Sequence, residues 1–183
     1  MLLPQLNGNH ISLRALKRSD IPALARQAND RNISKFMPSI HFPYTAEDAR
    51  RWVNATSRMA RTDSAYQLGI ELLSRKDIIG MMGIKNINRV DRNGELEYWL
   101  GRGYRGRSYA SEAMRLMLRF AFHDLRLHRV YAIVVALNKP SVRLLERYGF
   151  MREAVWRDAS WIENRWHDVY CYGLLETEQS KYE

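Results

Sequence analysis

The alternation of apolar and polar residues along the chain changes its period several times, and each change marks a new element. Residues 10–16 alternate with a period of two, which predicts a half-buried first strand. Three later segments alternate in the same way and are joined by short turns, one of them predicted at Asn93-Gly94; they are residues 65–73, 78–87 and 95–100. Because short connections join antiparallel neighbours, these segments predict a meander.

Two helices are predicted between the first strand and the meander. The first covers residues 20–29, and the second begins after Thr45 and runs to about residue 61. The spacing of Thr45 and Asp48 matches a capping box, with aspartate in the place of the usual glutamate. Residues 32–44, between the helices, contain two prolines and little periodicity, which predicts a loop-rich segment.

The second half of the chain predicts a parallel strand–helix–strand unit followed by a hairpin. Residues 110–125 carry apolar side chains at helical spacing, and residues 130–137 are almost wholly apolar, as in a buried parallel strand. A short helix is predicted between Pro140 and Gly149. The last two strands are predicted over residues 150–161 and 166–175.

The order of these elements predicts an α+β fold. We expect a mixed, mostly antiparallel sheet of about seven strands, flanked by about four helices. No repeat, low-complexity segment or linker interrupts the 183 residues, so a single domain over 1–183 is predicted. No apolar run approaches the roughly 20 residues of a membrane helix, and no signal-peptide pattern precedes the first strand.

Composition limits the disulfides, metal sites and partners that the chain can have. Cys171 is the only cysteine, which excludes an intramolecular disulfide and disfavours a cysteine-based zinc site; a cytoplasmic location suits this best. The five histidines show no metal-ligand spacing, so no metal site is predicted. The formal net charge of +9 indicates an anionic partner, which charge alone leaves open as nucleic acid, a phosphorylated cofactor or an acidic protein surface.

The positive charge is concentrated where a strand gives way to a glycine-containing loop and a helix, at Arg105-Gly106-Arg107-Ser108-Tyr109-Ala110. Between residues 101 and 129, seven arginines face two acidic residues. Free N–H groups at a helix start bind anions, and small residues let a diphosphate approach the backbone. A phosphate site and a plain connector both fit this segment, whose glycine spacing matches neither nucleotide-binding motif.

Four motifs together resemble those of the GNAT acetyltransferase superfamily, in the same order and at similar intervals. They are Glu-Leu-Glu-Tyr-Trp-Leu (95–100), Tyr-Arg-Gly-Arg-Ser-Tyr-Ala-Ser-Glu-Ala (104–113), Asn138 with Ser141, and Leu-Leu-Glu-Arg-Tyr-Gly-Phe (144–150). The chain is most similar to the branch that contains the ribosomal-protein N-terminal (alanine/serine) acetyltransferases, over nearly its whole length. This resemblance implies acetyl-CoA as the cofactor and a sheet splayed at its centre.

The resemblance also implies cofactor-binding roles. The family's phosphate-loop pattern, Gln/Arg-x-x-Gly-x-Gly/Ala, falls on Arg105, Ser108 and Ala110, so residues 105–110 are expected to hold the diphosphate. Ser108 replaces the usual glycine, and because serine disfavours positive φ, a negative φ there would preserve cofactor affinity.

The pantetheine arm of the cofactor is expected to lie along the strand before the loop. The resemblance implies that the backbone at Tyr98 and Leu100 pairs with this arm. It also implies that Asn138, after the next strand, lies near it.

The base candidates are Glu95 and Glu97, which share a strand face with Trp99. Two close carboxylates would raise one pKa, which suits a base. Family members often carry glutamate at the position of Glu95, whereas Glu97 stands where this branch often has glycine. For Glu97, a charged solvent face is the equal alternative.

The family's tyrosine acid is replaced by Leu145 in this chain. Ser141 lies four residues earlier on the same helix face and is expected to protonate the leaving thiolate. The alternative is that Ser141 only caps or solvates the helix start.

The branch resemblance favours acetyl transfer to the N-terminal α-amino group of a protein or peptide, by direct attack in a ternary complex. Neutralising an α-amino group at pH 7 costs roughly 1 kcal/mol, against roughly 4.6 kcal/mol for lysine. One alternative is a small amine, such as an antibiotic or an amino acid. A polyamine would need a local acidic funnel made by Glu95, Glu97 and Asp48.

The other alternative is a non-catalytic, basic RNA- or ribosome-binding module. Ribosome association is also compatible with an acetyltransferase. The sequence leaves monomer and homodimer open.

Overall fold

Eight strands form one mixed sheet in the computed structural model, which describes residues 3–181 and side chains as far as Gln179. The strands are β1 Leu6–Asn7, β2 Ile11–Arg14, β3 Tyr66–Leu72, β4 Asp77–Asn88, β5 Asn93–Leu100, β6 Arg129–Val135, β7 Met151–Ile162 and β8 Arg165–Leu175. Their order is β1-β2-β3-β4-β5-β6-β8-β7. The predicted α+β class and mostly antiparallel sheet are confirmed, with the short β1 as an additional strand. Residues 1–2 and 182–183, which the single-domain prediction includes, lie outside the described residues.

The sheet is splayed between β5 and β6, its parallel pair. These strands pair over only three positions, from Asn93 opposite Arg129 to Glu95 opposite Tyr131. Beyond Glu95, β5 stays paired with β4 as far as Leu100, whereas β6 continues beside β8. The splay implied by the resemblance is therefore present, and the β6-facing edge of β5 is open.

Five α-helices flank the sheet: α1 Ile21–Ala28, α2 Arg31–Phe36, α3 Ala46–Arg61, α4 Tyr109–Arg119 and α5 Lys139–Arg147. The helices α4 and α5 pack on one face through a core that includes Met114, Met117 and Leu145. The helices α1 and α3 cover the β3–β5 part of the other face, with Leu24 and Val53 in the core. No helix within residues 3–181 is long and apolar enough to cross a bilayer.

The predicted start of α3 and the predicted end of α5 are both confirmed. The capping box at the start of α3 is formed, because Thr45 and Asp48 exchange hydrogen bonds in both directions. Gly149 adopts a φ of 79°, a conformation that suits glycine, directly after α5.

One prediction is incomplete and another is wrong. The segment 32–44 is loop only from residue 37, because α2 occupies its first part and is capped by Asp30, whose side chain accepts a 2.8 Å bond from the Asn32 amide. The turn predicted at Asn93-Gly94 lies earlier in the chain. Asn93 pairs with Asn88, so the chain reverses over the intervening residues.

The C-terminal part of the α1/α3 face is left uncovered. Strand register places Glu95 and Tyr131 on this face. From Tyr131 the face continues to Ile133 of β6 and then across β8 and β7. Ile133, Met151 and Trp156 are 42%, 55% and 50% exposed. We call this surface the open face; it begins beside the splay.

Candidate active site

A groove of about 680 Å³ opens where β5 and β6 separate. Its walls are the end of β5, the following loop, the starts of α4 and α5, and α2. It brings together all the residues predicted to hold the cofactor: Tyr98, Leu100, Arg105, Gly106, Arg107, Ser108, Tyr109, Ala110 and Asn138. We call it the cofactor groove.

The loop backbone is shaped to leave space in front of the α4 N-terminus. Gly106 has a φ of 74°, and a Cβ built on Gly103 or Gly106 would meet no atom within 4 Å. Ser108 adopts a φ of 62°, so the negative φ considered from the sequence is wrong. A serine in this left-handed conformation costs roughly 1 kcal/mol relative to an unstrained residue, and the other contacts of the loop offset this cost.

Arg105 holds the loop in place with its side chain. Its Nε donates to the Leu100 carbonyl at 2.9 Å, and its guanidinium donates to Asp30 at 2.8 Å. The loop is thereby tied both to the end of β5 and to the cap of α2. The Leu100 carbonyl accepts one bond from Arg105 and keeps a second lone pair that a ligand could use.

A much smaller cavity, of about 30 Å³, adjoins the cofactor groove on the side of the sheet covered by α1 and α3. The two share Met37, Tyr98 and Trp99. The remaining lining residues come from the segment before α3, from α3 itself and from three neighbouring strands: Ser39, Ile40, Tyr44, Trp52, Gln67, Met81 and Glu97. We call this cavity the side pocket.

The sequence that builds this two-part site matches a known family. The family model described as an acetyltransferase (GNAT) domain matches residues 10–151. The chain belongs to the GNAT acetyltransferase family. It is an N-acetyltransferase that uses acetyl-CoA.

Relatives agree with the family and differ in their acceptors. The SPbeta prophage-derived uncharacterized N-acetyltransferase YokL of Bacillus subtilis strain 168 is 31% identical over 180 residues, covering 97% of each chain. YdaF of the same strain, provisionally named a ribosomal N-acetyltransferase, is 30% identical and covers 92% of this chain and 93% of its own. A spermidine N(1)-acetyltransferase of Vibrio cholerae is 27% identical, with 95% and 96% covered.

Solved structures share the fold. A GNAT-family acetyltransferase from Bacillus anthracis superposes with a TM-score of 0.82 at 25% identity, covering 96% of this chain and 100% of its own. Mycobacterium smegmatis RimJ, solved in complex with CoA-disulfide, gives a TM-score of 0.85 at 20% identity, with 96% and 89% covered.

The lining of the cofactor groove is basic, as the phosphates of acetyl-CoA would require. Arg107, Arg143 and Arg147 line it, and no acidic side chain within the described residues pairs with them. Arg143 and Arg147 are four residues apart, on one face of α5. Sequence inspection missed this pair, although arginines at i and i+4 beside Asn138 were a usable signal. Together the three arginines could hold the phosphates of the cofactor.

Tyr98 brings a hydroxyl group into the acetyltransferase groove beside Ser141. Its OH donates to the Ser141 carbonyl at 3.4 Å, and burial raises the pKa of Tyr98 to about 12, so the phenol stays protonated. The Ser141 amide donates to Asn138 Oδ1 at 3.4 Å, so Asn138 caps α5. Ser141 lines the groove, and among the side chains described, residues 3–179, none bonds its hydroxyl.

Neither Leu145 nor Tyr148 lines the cofactor groove. Leu145, at the family's tyrosine position, is buried in the core. The Tyr148 hydroxyl donates to the Ser111 carbonyl at 2.5 Å, which ties α5 to α4. Tyr148 therefore packs rather than reacts.

Glu97 projects into the side pocket and is held by two donors. Gln67 Nε2 donates to Oε1 at 2.6 Å, and Lys85 Nζ donates to Oε2 at 2.7 Å. Gln67 reaches across β4 because residue 83, opposite Glu97, is a glycine; a Cβ there would overlap the Gln67 side chain. Sequence inspection missed Gln67 and Lys85, because their roles depend on strand register.

Glu95 lines neither cavity. Asn86 Nδ2 donates to it at 2.9 Å, and Lys85 Nζ lies 3.4 Å from its other oxygen. The mutual repulsion predicted for Glu95 and Glu97 is offset, because an ammonium lies between them. Burial opposes the charge of Lys85, but hydrogen bonds and attraction from Glu97 and Glu95 raise its pKa above the ordinary value.

Cys171 is not placed to act as a nucleophile. It lies on β8 between Ile133 of β6 and Ala154 of β7. Burial and the nearby Glu153 raise the pKa of the Cys171 thiol, so it is protonated at neutral pH. Direct attack by the acceptor amine needs no such nucleophile.

Proposed function

We propose that this N-acetyltransferase acetylates the α-amino group of a polypeptide. The observation that carries the proposal is the position of Glu97, which lines the side pocket next in sequence to Tyr98, a residue that lines both this pocket and the cofactor groove. The same strand face continues through Tyr131 to the open face. An acceptor N-terminus in the side pocket would therefore have the rest of its chain on an uncovered apolar surface.

Glu97 is the base in this proposal. Acetyl-CoA, when bound, supplies the acetyl group as a thioester. The carboxylate of Glu97 takes the proton of the acceptor ammonium, directly or through one water, so that the amine nitrogen becomes a nucleophile. Neutralising an α-amino group at pH 7 costs roughly 1 kcal/mol, whereas neutralising a lysine costs roughly 4.6 kcal/mol. A fixed carboxylate can therefore activate the α-amino group more readily.

Ser141 is the proposed proton donor on the other side of the reacting centre. Ser141 lines the cofactor groove, and its hydroxyl can give a proton to the departing sulfur. The Tyr98 hydroxyl lies against the same turn of α5, where it donates to the Ser141 carbonyl. The loop 105–110 and the three unpaired arginines hold the cofactor phosphates.

The open face favours a polypeptide over a small amine as the acceptor. Beyond Ile133, Met151 and Trp156, the tip of the β7–β8 hairpin carries Trp161 and Trp166, which are 55% and 58% exposed. A 2.8 Å ion pair between Lys35 of α2 and Glu163 holds this tip beside the site. Exposed tryptophans and methionines next to a site are typical of protein-binding surfaces.

A polyamine acceptor is the second candidate, because the spermidine N(1)-acetyltransferase is among the relatives. The acidic funnel that a polycation needs is absent from the described part of this site. Lys85 contacts both Glu95 and Glu97. Asp48 is bonded by Thr45 and lies 3.1 Å from His41. The acidic groups are thus already engaged.

The test compares three acceptors at equal concentration with acetyl-CoA. The first is a peptide with a free α-amine and one internal lysine, the second is the same peptide with its α-amine blocked, and the third is spermidine. We expect kcat/KM for the free peptide to exceed the others by about tenfold or more, with mass spectrometry placing the acetyl group on the N-terminus. Faster acetylation of spermidine or of the lysine would overturn the proposal.

A further inference from the structure

A single ammonium group is shared by the two carboxylates beside the side pocket. Lys85 Nζ lies 2.7 Å from Glu97 and 3.4 Å from Glu95. The Lys85 side chain is 33% exposed, against 14% for Glu95 and 16% for Glu97. Screening by solvent is therefore partial, and the three groups form one patch with a net charge of about −1 at neutral pH.

Strand register joins this patch to the side pocket through Glu97, which is the member that lines it. Lys85 lies opposite Glu95 in the β4–β5 pair, and Gly83 lies opposite Glu97. Because Gly83 has no side chain, both Lys85 and Gln67 can reach Glu97. The ammonium is consequently bonded to the carboxylate that lines the side pocket.

This arrangement treats acceptors differently according to their charge. An acceptor with one amine loses its charge at Glu97 before it reacts, and so brings no lasting positive charge. An acceptor with a second ammonium a few ångströms away keeps that charge next to Lys85. Like charges at that separation in a partly buried site repel each other appreciably.

We propose that Lys85 determines acceptor specificity, by offsetting the negative charge of Glu95 and Glu97 that would otherwise favour amines with a second cation near the reacting nitrogen. This inference rests on the proposed function in placing the acceptor at Glu97. It assigns to Lys85 the discrimination against short diamines and polyamines, while peptide N-termini with uncharged neighbouring groups are accepted. Lys85 is bonded to Glu97 and acts on the acceptor through its charge.

The test uses butylamine and 1,4-diaminobutane, which differ chiefly in the second ammonium group. Binding of each to the enzyme saturated with CoA is measured by calorimetry, and acetyl transfer from acetyl-CoA is measured in parallel. The variants are Lys85→Met, Lys85→Gln, Lys85→Arg and the double variant Lys85→Met with Glu95→Gln. CoA affinity reports that each variant is folded, since the cofactor groove includes none of the altered residues.

In Lys85→Met and Lys85→Gln, we expect the preference for diamine over monoamine to rise about tenfold, which corresponds to about 1.4 kcal/mol. Lys85→Arg should keep the wild-type preference. The double variant should return toward it, because the net charge of the patch is restored. The gain should also shrink in high salt. A purely structural role for Lys85 would weaken both amines alike.

A diamine preference that stays within about twofold of wild type in both neutral variants would overturn the inference. The calorimetric preference does not depend on turnover. If the variants shift the diamine preference as expected but wild type transfers acetyl to no α-amine, then the proposed function fails while the role of Lys85 stands.

Discussion

The cofactor groove and the side pocket meet at Tyr98 and Trp99, yet they are built from different parts of the chain. The groove depends on one loop and a helix start, where we propose that the backbone binds the cofactor. The side pocket depends on Gln67, Lys85 and Glu97, one from each of three adjacent strands. A site made of backbone tolerates changes of side chain as long as φ and ψ are kept. A network across strands fails when any one member moves.

The largest effect is expected from filling the cofactor groove. Ala110→Trp places an indole at the second residue of α4, in the groove lining, and should weaken acetyl-CoA binding on the order of 100-fold, or about 2.7 kcal/mol. Ala110→Ser is the matched control, because its backbone is unchanged and its volume is small. Calorimetry measures both. Unchanged affinity in Ala110→Trp would mean that the diphosphate lies elsewhere.

Two glycine variants separate the regions by their tolerance of a methyl group. In Gly83→Ala the new Cβ would overlap the Gln67 side chain and the Tyr66 carbonyl, so we expect a loss of about 1–3 kcal/mol in unfolding free energy. In Gly103→Ala the Cβ meets nothing within 4 Å, and the change should stay within about 0.5 kcal/mol. Urea unfolding compares them. Equal losses would contradict the contrast.

Ser108 tests how strictly the loop holds its conformation. Because Ser108 has a φ of 62°, Ser108→Gly should raise unfolding free energy by about 0.5 kcal/mol, after the entropy cost of glycine is subtracted. Acetyl-CoA affinity should be equal or better. Ser108→Ala gains no conformational freedom and serves as the control. A destabilised Ser108→Gly would show that the serine side chain itself supports the loop.

The smallest effect concerns α3, which contributes Trp52 to the side pocket. Hydrogen bonds from the Thr45 hydroxyl and amide lower the pKa of Asp48 from 3.8 to about 2. A lowered carboxyl pKa stabilises the fold above the ordinary value, and that stability is lost as pH falls towards 2. The Tm difference between wild type and Asp48→Asn should therefore be constant near neutral pH and narrow between pH 5 and 2.

The groove could be predicted from sequence because its signals are local. Residues 105–110 follow a strand and open a helix, so the anion site is encoded within a few positions. The parallel strand β6 was likewise marked by its continuous apolar run. The sign of φ at Ser108 could not be predicted, since a residue type constrains φ without fixing it, and the arginine pair of α5 was missed.

The side pocket could not be predicted in the same way. The contact of Gln67 with Glu97 spans 30 positions of sequence and depends on the register of two strand pairs. Helix α2 was missed because it is six residues long and too short for a period to be visible. Asp30 was the available signal, as a cap that also binds Arg105.

The central claim is that Glu97, rather than Glu95, takes the proton of the acceptor amine. The most direct test measures kcat/KM for a free α-amine peptide with Glu97→Gln and Glu95→Gln, at pH 7 and at pH 9. At pH 7 we expect a loss of roughly 100-fold for Glu97→Gln and less than about tenfold for Glu95→Gln. At pH 9 the peptide amine is already largely neutral, so the loss in Glu97→Gln should shrink by about fivefold or more. A loss that is independent of pH, or one that is larger in Glu95→Gln, would contradict the account.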